Sequence, residues 1–279
     1  MSAAKPGRGA RSCPYRSKDW TAKRDGPHAH SVTTVAKKAA GIASAIHEHR
    51  LLIFHCFVLP VILASRMSTV LGPKLRGLYV IIDYGVAGGG RELELAQAAI
   101  RGGARLIQWR DKVREKGLQL PIAEALANIC ASADVLFIVN DHLDLALACG
   151  AHGVHLGQKD LPVAVVRRLA PPGFVIGCST NNVEEALHAQ EAGADYVSVG
   201  RLFPTVSKRD TRPATLETLR SVKDAVSIPV CAIGGINTEN IGQVIAAGAD
   251  MVAVIGAVAG AVNPEEAVRK LASFFRGRN

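Results

Sequence analysis

The chain is 279 residues long, 48% hydrophobic and 20% charged, which suits a globular protein built as one α/β barrel or as two smaller domains. Its formal net charge of +9 is uneven: residues 1–66 carry 11 Lys+Arg against 3 Asp+Glu, and the other 213 residues carry 22 against 21. The body is close to neutral, which removes the electrostatic case for nucleic acid as a partner. Six scattered cysteines without a C-x-x-C pair suggest neither a zinc site nor a disulfide framework, and make a reducing, cytoplasmic compartment the expectation.

Residues 1–40 are rich in Lys, Arg, Ser, Gly and Pro without sustained periodicity, the composition of a disordered leader. The apolar run LLIFHCFVLPVILA (51–64) is fourteen residues long and contains His55 and Pro60. It is short for a membrane span and lies too deep for an ordinary secretory signal, so a membrane anchor is not expected. Met67 opens MSTVLGPKLRGLYVIID, a natural start for the body. The expectation is a disordered basic extension over 1–66 and a catalytic barrel domain over 67–279.

From Gly77 onward strand-like and helix-like segments alternate. The predicted strands are GLYVIID (77–83), ARLIQWR (104–110), LFIVND (136–141), GVHLG (153–157), VIGCST (175–180), YVSVGRL (196–202), PVCAIGG (229–235) and MVAVIG (251–256). Between them lie segments of helical spacing such as ELELAQAAIRGG and NIGQVIAAGA. Short, near-continuous apolar strands belong to parallel sheets buried on both faces, and eight β-then-α units fit a small TIM (β/α)₈ barrel. Gly103-Ala104, Gly150-Ala151, Gly193-Ala194 and Gly248-Ala249 recur before every second strand, where Gly can end a helix in the left-handed conformation. A doubly wound open sheet is the alternative, though no G-x-G-x-x-G follows the first strand.

Catalytic groups of such a barrel sit at the carboxyl ends of its strands. In QWRDK (108–112) side chains two apart share a face, so Gln108, Arg110 and Lys112 point one way. Asn140 and Asp141 end the third strand, Gln158 and Asp160 follow the fourth, and Ser179 lies in the fifth. Thr205, Ser207 and Lys208 follow the sixth, Gly234-Gly235 the seventh, and Gly256 the eighth. Asp141 and Asp160 could share a hard cation, and oxygen ligands without Cys or paired His suggest Mg²⁺. Beside Arg110 and Lys112, such an ion suits a diphosphate. The glycines after the last two strands suggest a second site, for a monophosphate. Each group has a plainer reading: QWRDK as a solvated strand end, Asn140-Asp141 as a cap for a helix starting at His142, the glycine pair as a turn. Ser179-Thr180-Asn181-Asn182 has the composition of a helix start, and His142, His152 and His155 read as structural.

Over residues 75–273 the chain resembles the thiamine phosphate synthase (thiamine-phosphate pyrophosphorylase) family, through GLYVIID, QWRDK, VNDHLDLAL, GVHLGQKD, IGCST, ADYVSVGRLFPTVSK, AIGGI and ADMVAVIGAV. The resemblance implies a TIM barrel that joins 4-amino-5-hydroxymethyl-2-methylpyrimidine diphosphate to 4-methyl-5-(2-phosphoethyl)thiazole, releasing diphosphate and forming thiamine phosphate. It implies that Gln108, Arg110, Lys112 and Asn140 contact the pyrimidine diphosphate, that Asp141 and Asp160 hold Mg²⁺, and that Ser179 lies by the diphosphate. Thr205 and Ser207 would meet the thiazole phosphate, Lys208 would reach the pyrimidine diphosphate, and Gly235 with Ile255 and Gly256 would close the phosphate site. Catalysis is then expected from Arg110, Lys112, Ser179 and Lys208, through a dissociative reaction in which the thiazole nitrogen captures a pyrimidine-methyl carbocation.

Three positions depart from the family's usual pattern: Ser207 stands for Thr, Gly256 for a common Ser, and Arg201 for a common Pro. Other readings of the same residues are a thiazole tautomerase, which would not need the diphosphate groups, and a binding protein that senses thiamine phosphate without turnover. A phosphosugar-isomerase barrel lacks a well-placed Glu base. The expected partners are small-molecule substrates, and the sequence leaves a homo-oligomer open.

Overall fold

A computed structural model of the chain describes residues 75–205, 207 and 212–277. The leader over 1–66, the start at Met67 and Lys208 all fall outside these residues. Eight parallel strands close into a barrel in chain order: β1 (Gly77–Asp83), β2 (Leu106–Arg110), β3 (Leu136–Asn140), β4 (Gly153–Leu156), β5 (Val175–Thr180), β6 (Tyr196–Val199), β7 (Val230–Ile233) and β8 (Met251–Val254). Pairing of β1 with β8, from Gly77 opposite Met251 to Val80 opposite Val254, closes the ring and rules out the open sheet. Among the described residues no helix is long and apolar enough to cross a membrane.

The helices are α1 (Tyr84–Ala87), α2 (Glu92–Gly102), α3 (Lys116–Ser132), α4 (Leu143–Ala148), α5 (Val163–Leu169), α6 (Val183–Glu191), α7 (Leu216–Ala225), α8 (Ile241–Ala246), α9 (Gly256–Ala259) and α10 (Pro264–Ser273). Local chemistry sets several of their ends. Asn182 and Asn263 accept the N–H groups of Glu185 and Glu266 to open α6 and α10, and Thr215 and Thr218 form a capping box on α7. Gly103, Gly150, Gly193 and Gly248 all hold positive φ, as the recurring Gly-Ala turns predict.

Six of the eight predicted strands are shorter than expected, because their ends turn out of the ladder into loops. Asp141, the predicted last residue of the third, takes φ +63 and leaves the strand at Asn140. The helix that follows starts at Leu143, with His142 at its cap position and no side-chain cap bond, so neither Asn140 nor Asp141 caps it.

The strands divide their residues between two cores. Leu78, Val80, Ile82, Ile107, Trp109, Phe137, Val139, Val154, Leu156, Val197 and Val199 face the helices. Tyr79, Ile81, Leu106, Leu136, Ile138, Val175, Tyr196, Cys231, Met251 and Ala253 fill the barrel itself. Room for the Tyr196 ring comes from Gly177, where a Cβ would lie 2.1 Å from the ring.

QWRDK follows the same alternation. Trp109 is 1% exposed in the outer core, and Asp111 anchors the loop that follows β2. The Asp111 carboxylate accepts the Val113 and Arg114 N–H groups at 2.8 and 3.1 Å and pairs with the Arg114 guanidinium. That guanidinium also reaches Glu92 at 3.2 Å and lies 3.9 Å over the Tyr84 ring. Burial alone would raise the Asp111 carboxyl, but the bonds from Arg114 and from the Val113 and Arg114 N–H groups outweigh it and lower the pKa. A lowered carboxyl stabilises the fold fully above the ordinary carboxylate range, and the contribution is lost as pH falls through the lowered value. Asp111→Ala should therefore cost about 3 kcal/mol in urea unfolding at neutral pH, the usual loss when one partner of a buried pair is removed. The deficit should shrink in strong acid; an equal deficit at both pH values would contradict this role.

Candidate active site

The inward alternation that packs the barrel delivers a different residue type at its top. Above the apolar inner layer, the inward positions at the carboxyl ends are Asp83 in β1, Gln108 and Arg110 in β2, Asn140 in β3, His155 in β4 and Ser179 in β5. The predicted polar residues of the first five strands thus share one rim.

Arg110 pairs with Asp83, whose carboxylate also accepts the Val86 N–H. The pair is well buried, with side-chain exposures of 15% and 5%. Lys112 is about half exposed and lies 2.9 Å from the Asp141 carboxylate. Asp160 lies on the loop after β4 and turns one oxygen back to the Gly157 N–H at 2.6 Å. Its carboxyl faces that of Asp141 within hydrogen-bonding reach. Burial first, and then the facing Asp141, raise the Asp160 carboxyl. In Asp141 burial is outweighed by the bonds to Lys112 and Asp160, and its carboxyl is lowered. Two facing carboxylates with one cation against them form a ready place for a second positive charge.

Asn140 ends β3 half-buried, its backbone carbonyl accepting the His142 N–H at 2.8 Å. Gln158 donates to the Ser179 carbonyl at 2.5 Å. Ser179 does not cap α6, a role Asn182 takes; its hydroxyl lies 2.9 Å from His155 Nε2. His155, read from the sequence as structural, thus bonds directly to a rim residue. His152 fits the structural reading, its Nδ1 accepting the Phe137 N–H at 3.1 Å.

The other side of the rim is formed by the loop after β6 and the ends of β7 and β8. Thr205 accepts the Ser207 N–H at 3.2 Å, and the Ser207 hydroxyl lies 3.3 Å from where a Cβ on Gly256 would stand. Ile255 stands just before α9, whose first residue is Gly256, and makes no side-chain cap bond. Gly234 and Gly235 hold φ +106 and +63, and Cβ atoms there would stand 2.4 Å from Arg201 and 2.5 Å from the Pro204 carbonyl. Their lack of side chains is thus required by the passing loop. The base of this loop is tied down by Asn181, whose side-chain amide donates to the Gly200 and Arg212 carbonyls at 2.9 and 3.2 Å, and by the Arg212–Glu185 ion pair at 2.7 Å. The Arg201 backbone exchanges bonds with Arg212 and Ala214, at 3.1 and 2.9 Å.

Among the described residues no three His, Cys, Asp or Glu side chains converge on a metal position. A cation bound by Asp141 and Asp160 would have to complete its shell with water and ligand oxygens, which is how Mg²⁺ usually binds beside phosphates. A cavity of about 850 Å³ lies at the opposite end of the barrel, lined by Arg76, Arg105 and Asp250 among others, and contains none of the rim residues.

Comparison with known proteins agrees with this fold. Residues 78–258 match the family model described as thiamine monophosphate synthase. The chain is 48% identical over 200 residues to the thiamine-phosphate synthase of Methanospirillum hungatei, covering 71% of this chain and 97% of that protein. With the thiamine-phosphate synthase of Thioalkalivibrio sulfidiphilus the identity is 44%, over 74% of this chain and 99% of that one. The solved structure of the thiamine phosphate pyrophosphorylase from Pyrococcus furiosus is 41% identical and superposes with a TM-score of 0.68, over 73% of this chain and 96% of its own. With the barrel, the rim and these likenesses together, the chain belongs to the thiamine monophosphate synthase family.

Proposed function

We propose that this chain is a thiamine phosphate synthase, condensing 4-amino-5-hydroxymethyl-2-methylpyrimidine diphosphate with 4-methyl-5-(2-phosphoethyl)thiazole into thiamine phosphate and diphosphate. The observation that carries this reading is the two-sided rim, with Arg110, Lys112 and the facing Asp141 and Asp160 on one side and Ser207 against Gly256 on the other. The first side has the charges for a diphosphate with Mg²⁺. The second, a short helix after β8 beside a hydroxyl-bearing loop, suits a phosphomonoester in the manner of many TIM barrels. Thr205, Gly235 and Ile255 complete that side, and the family resemblance assigns Lys208 to the diphosphate.

The two carboxylates fit Mg²⁺ because they are facing hard oxygen donors, one of which, Asp141, already holds a cation, Lys112. Mg²⁺, when bound, neutralises the charge that builds on the departing diphosphate. Arg110 offers a forked donor to the phosphate oxygens, and Lys112, released from Asp141, offers a movable one. Ser179 donates its hydroxyl to the same group, and Gln108 and Asn140 hold the pyrimidine. The C–O bond to diphosphate breaks first, and the thiazole nitrogen then attacks the carbocation. That nitrogen carries no proton, so no side chain has to act as a base. Positioning and fixed charge supply the acceleration. A reducing cytoplasm is the proposed compartment, consistent with Cys130, Cys149, Cys178 and Cys231 being free and buried.

Gly256→Ser tests the second side. The added Cβ meets the Ser207 hydroxyl at 3.3 Å, a contact that a small movement of the loop relieves, and the new hydroxyl adds one donor. The KM for thiazole phosphate should fall several-fold, by about 1 kcal/mol of added hydrogen bonding, with the KM for pyrimidine diphosphate unchanged. A matching fall in both would contradict the assignment. The two-sided arrangement itself is tested by calorimetry on the full chain. Inorganic diphosphate with Mg²⁺ and the thiazole phosphate should bind together; mutual exclusion would overturn it.

A further inference from the structure

A single file of hydrogen bonds crosses the barrel interior beneath the rim. Gln108 Nε2 lies 2.6 Å from the Tyr79 hydroxyl, which lies 3.1 Å from the Tyr196 hydroxyl. Tyr196 is 2.9 Å from His155 Nδ1, and His155 Nε2 is 2.9 Å from the Ser179 hydroxyl. The Ser198 hydroxyl flanks His155 Nε2 at 3.5 Å. Gln108, Tyr79, Tyr196, His155 and Ser198 are all buried, and Gln108 is only 2% exposed. Both ends of the file are rim residues, joined through three side chains to which the proposed reaction assigns no role.

Each hydroxyl in such a file has one proton, so the direction of every bond depends on the others. With the Gln108 amide nitrogen inward, Gln108 donates to Tyr79, Tyr79 to Tyr196, and Tyr196 to His155 Nδ1. His155 Nε2–H then donates to Ser179, whose own proton is left to point into the site. The amide oxygen of Gln108, which has no hydrogen bond among the described residues, is the group then presented at the other end. Turning the amide over reverses every link: Ser179 donates inward and becomes an acceptor toward the site, and Gln108 presents its NH₂. Burial pushes the Tyr79 phenol, and also the Tyr196 phenol, above the ordinary range, so both keep the proton the file requires.

We propose that the file Gln108–Tyr79–Tyr196–His155–Ser179 acts as one polarised unit, in which an anion accepting the Ser179 proton fixes Gln108 with its carbonyl oxygen toward the substrate, so that the site selects an amino-bearing heterocycle over its oxo counterpart. This rests on the proposed substrates, a pyrimidine with an exocyclic amine and a diphosphate. Tyr79, Tyr196 and His155 are positioning residues in this scheme. They act through Gln108 and Ser179, and their contribution appears as coupling between the two ends of the site.

The test uses the full chain with Mg²⁺ and measures binding of 4-amino-5-hydroxymethyl-2-methylpyrimidine and of its 4-oxo analogue, each with and without inorganic diphosphate. In the wild type, diphosphate should raise the preference for the amino compound by roughly tenfold, within the usual range of coupling between sites. Tyr196→Phe and Tyr79→Phe each cut the file and should remove that gain. Ser179→Ala, at the partly exposed rim end of the file, should remove it as well. A preference that diphosphate leaves unchanged in the wild type, or that rises equally in the variants, overturns the proposal, as does a wild type that binds neither compound. Turnover separates this from the synthase reading. Coupling without thiamine phosphate formation keeps the file and loses the synthase; thiamine phosphate formation with coupling intact in Tyr196→Phe keeps the synthase and loses the file.

Discussion

Asp141→Asn should lower Mg²⁺-dependent turnover by about a thousandfold, the several kcal/mol that a divalent ion contributes to a departing diphosphate, with the fold almost unaffected. Asn is the informative replacement because residue 141 sits at φ +63, a conformation that Asn and Asp tolerate and Ala does not. The change removes the charge that holds Lys112 at 2.9 Å and also the repulsion felt by Asp160. These effects on stability oppose each other, so the thermal midpoint should move by only a few degrees, or about 1 kcal/mol. The measurement is kcat at saturating Mg²⁺ beside a thermal melt. Wild-type turnover in the variant would remove the metal assignment, and a collapsed melt would assign Asp141 to the fold instead.

The second large effect concerns Arg110. Arg110→Ala should weaken inorganic diphosphate binding by about 1.5–3 kcal/mol, the range for a hydrogen-bonded charged partner, or ten- to a hundredfold. Thiazole phosphate binding should hardly change. The single variant is ambiguous by itself because Asp83 would be left 5% exposed without its cation, at a stability cost of about 3 kcal/mol. Adding Asp83→Asn removes the stranded charge while keeping the oxygen that accepts the Val86 N–H. The double variant should regain most of the lost stability and none of the lost affinity. Equal losses for diphosphate and thiazole phosphate would contradict the two-sided rim, and recovery of affinity in the double variant would assign Arg110 a purely structural part.

The barrel was legible because its strands are short apolar runs punctuated by Gly-Ala turns, and all eight lie where that pattern puts them. The residues of QWRDK could be placed for the same reason: alternation in β2 separates Gln108 and Arg110 from Trp109. What the pattern hides is which face of a doubly buried strand looks inward. Tyr79, His155 and Tyr196 sit on the inner face, but in GLYVIID, GVHLG and YVSV they stand among residues apolar on both sides. Their partners are not their register neighbours: Tyr79 stands opposite Leu106, two residues before Gln108, and His155 and Tyr196 flank Gly177, two residues before Ser179, so only closure of the barrel brings these side chains together. The ion pair of Asp83 with Arg110 was out of reach for a similar reason. Asp83 ends an apolar strand that offers no sign of its neighbour, and only the β1–β2 register sets it opposite Arg110. The glycine pair shows the reverse case, since a motif read as an anion site also answers to the backbone of the adjacent loop.

The central claim is most directly tested by turnover. The purified full chain is incubated with Mg²⁺, the pyrimidine diphosphate and the thiazole phosphate, and diphosphate and thiamine phosphate are measured in the same samples. Equal amounts of both, formed only when the metal and both substrates are present, is the predicted result. Diphosphate released without thiamine phosphate, or neither product from a chain that binds both substrates, would contradict it.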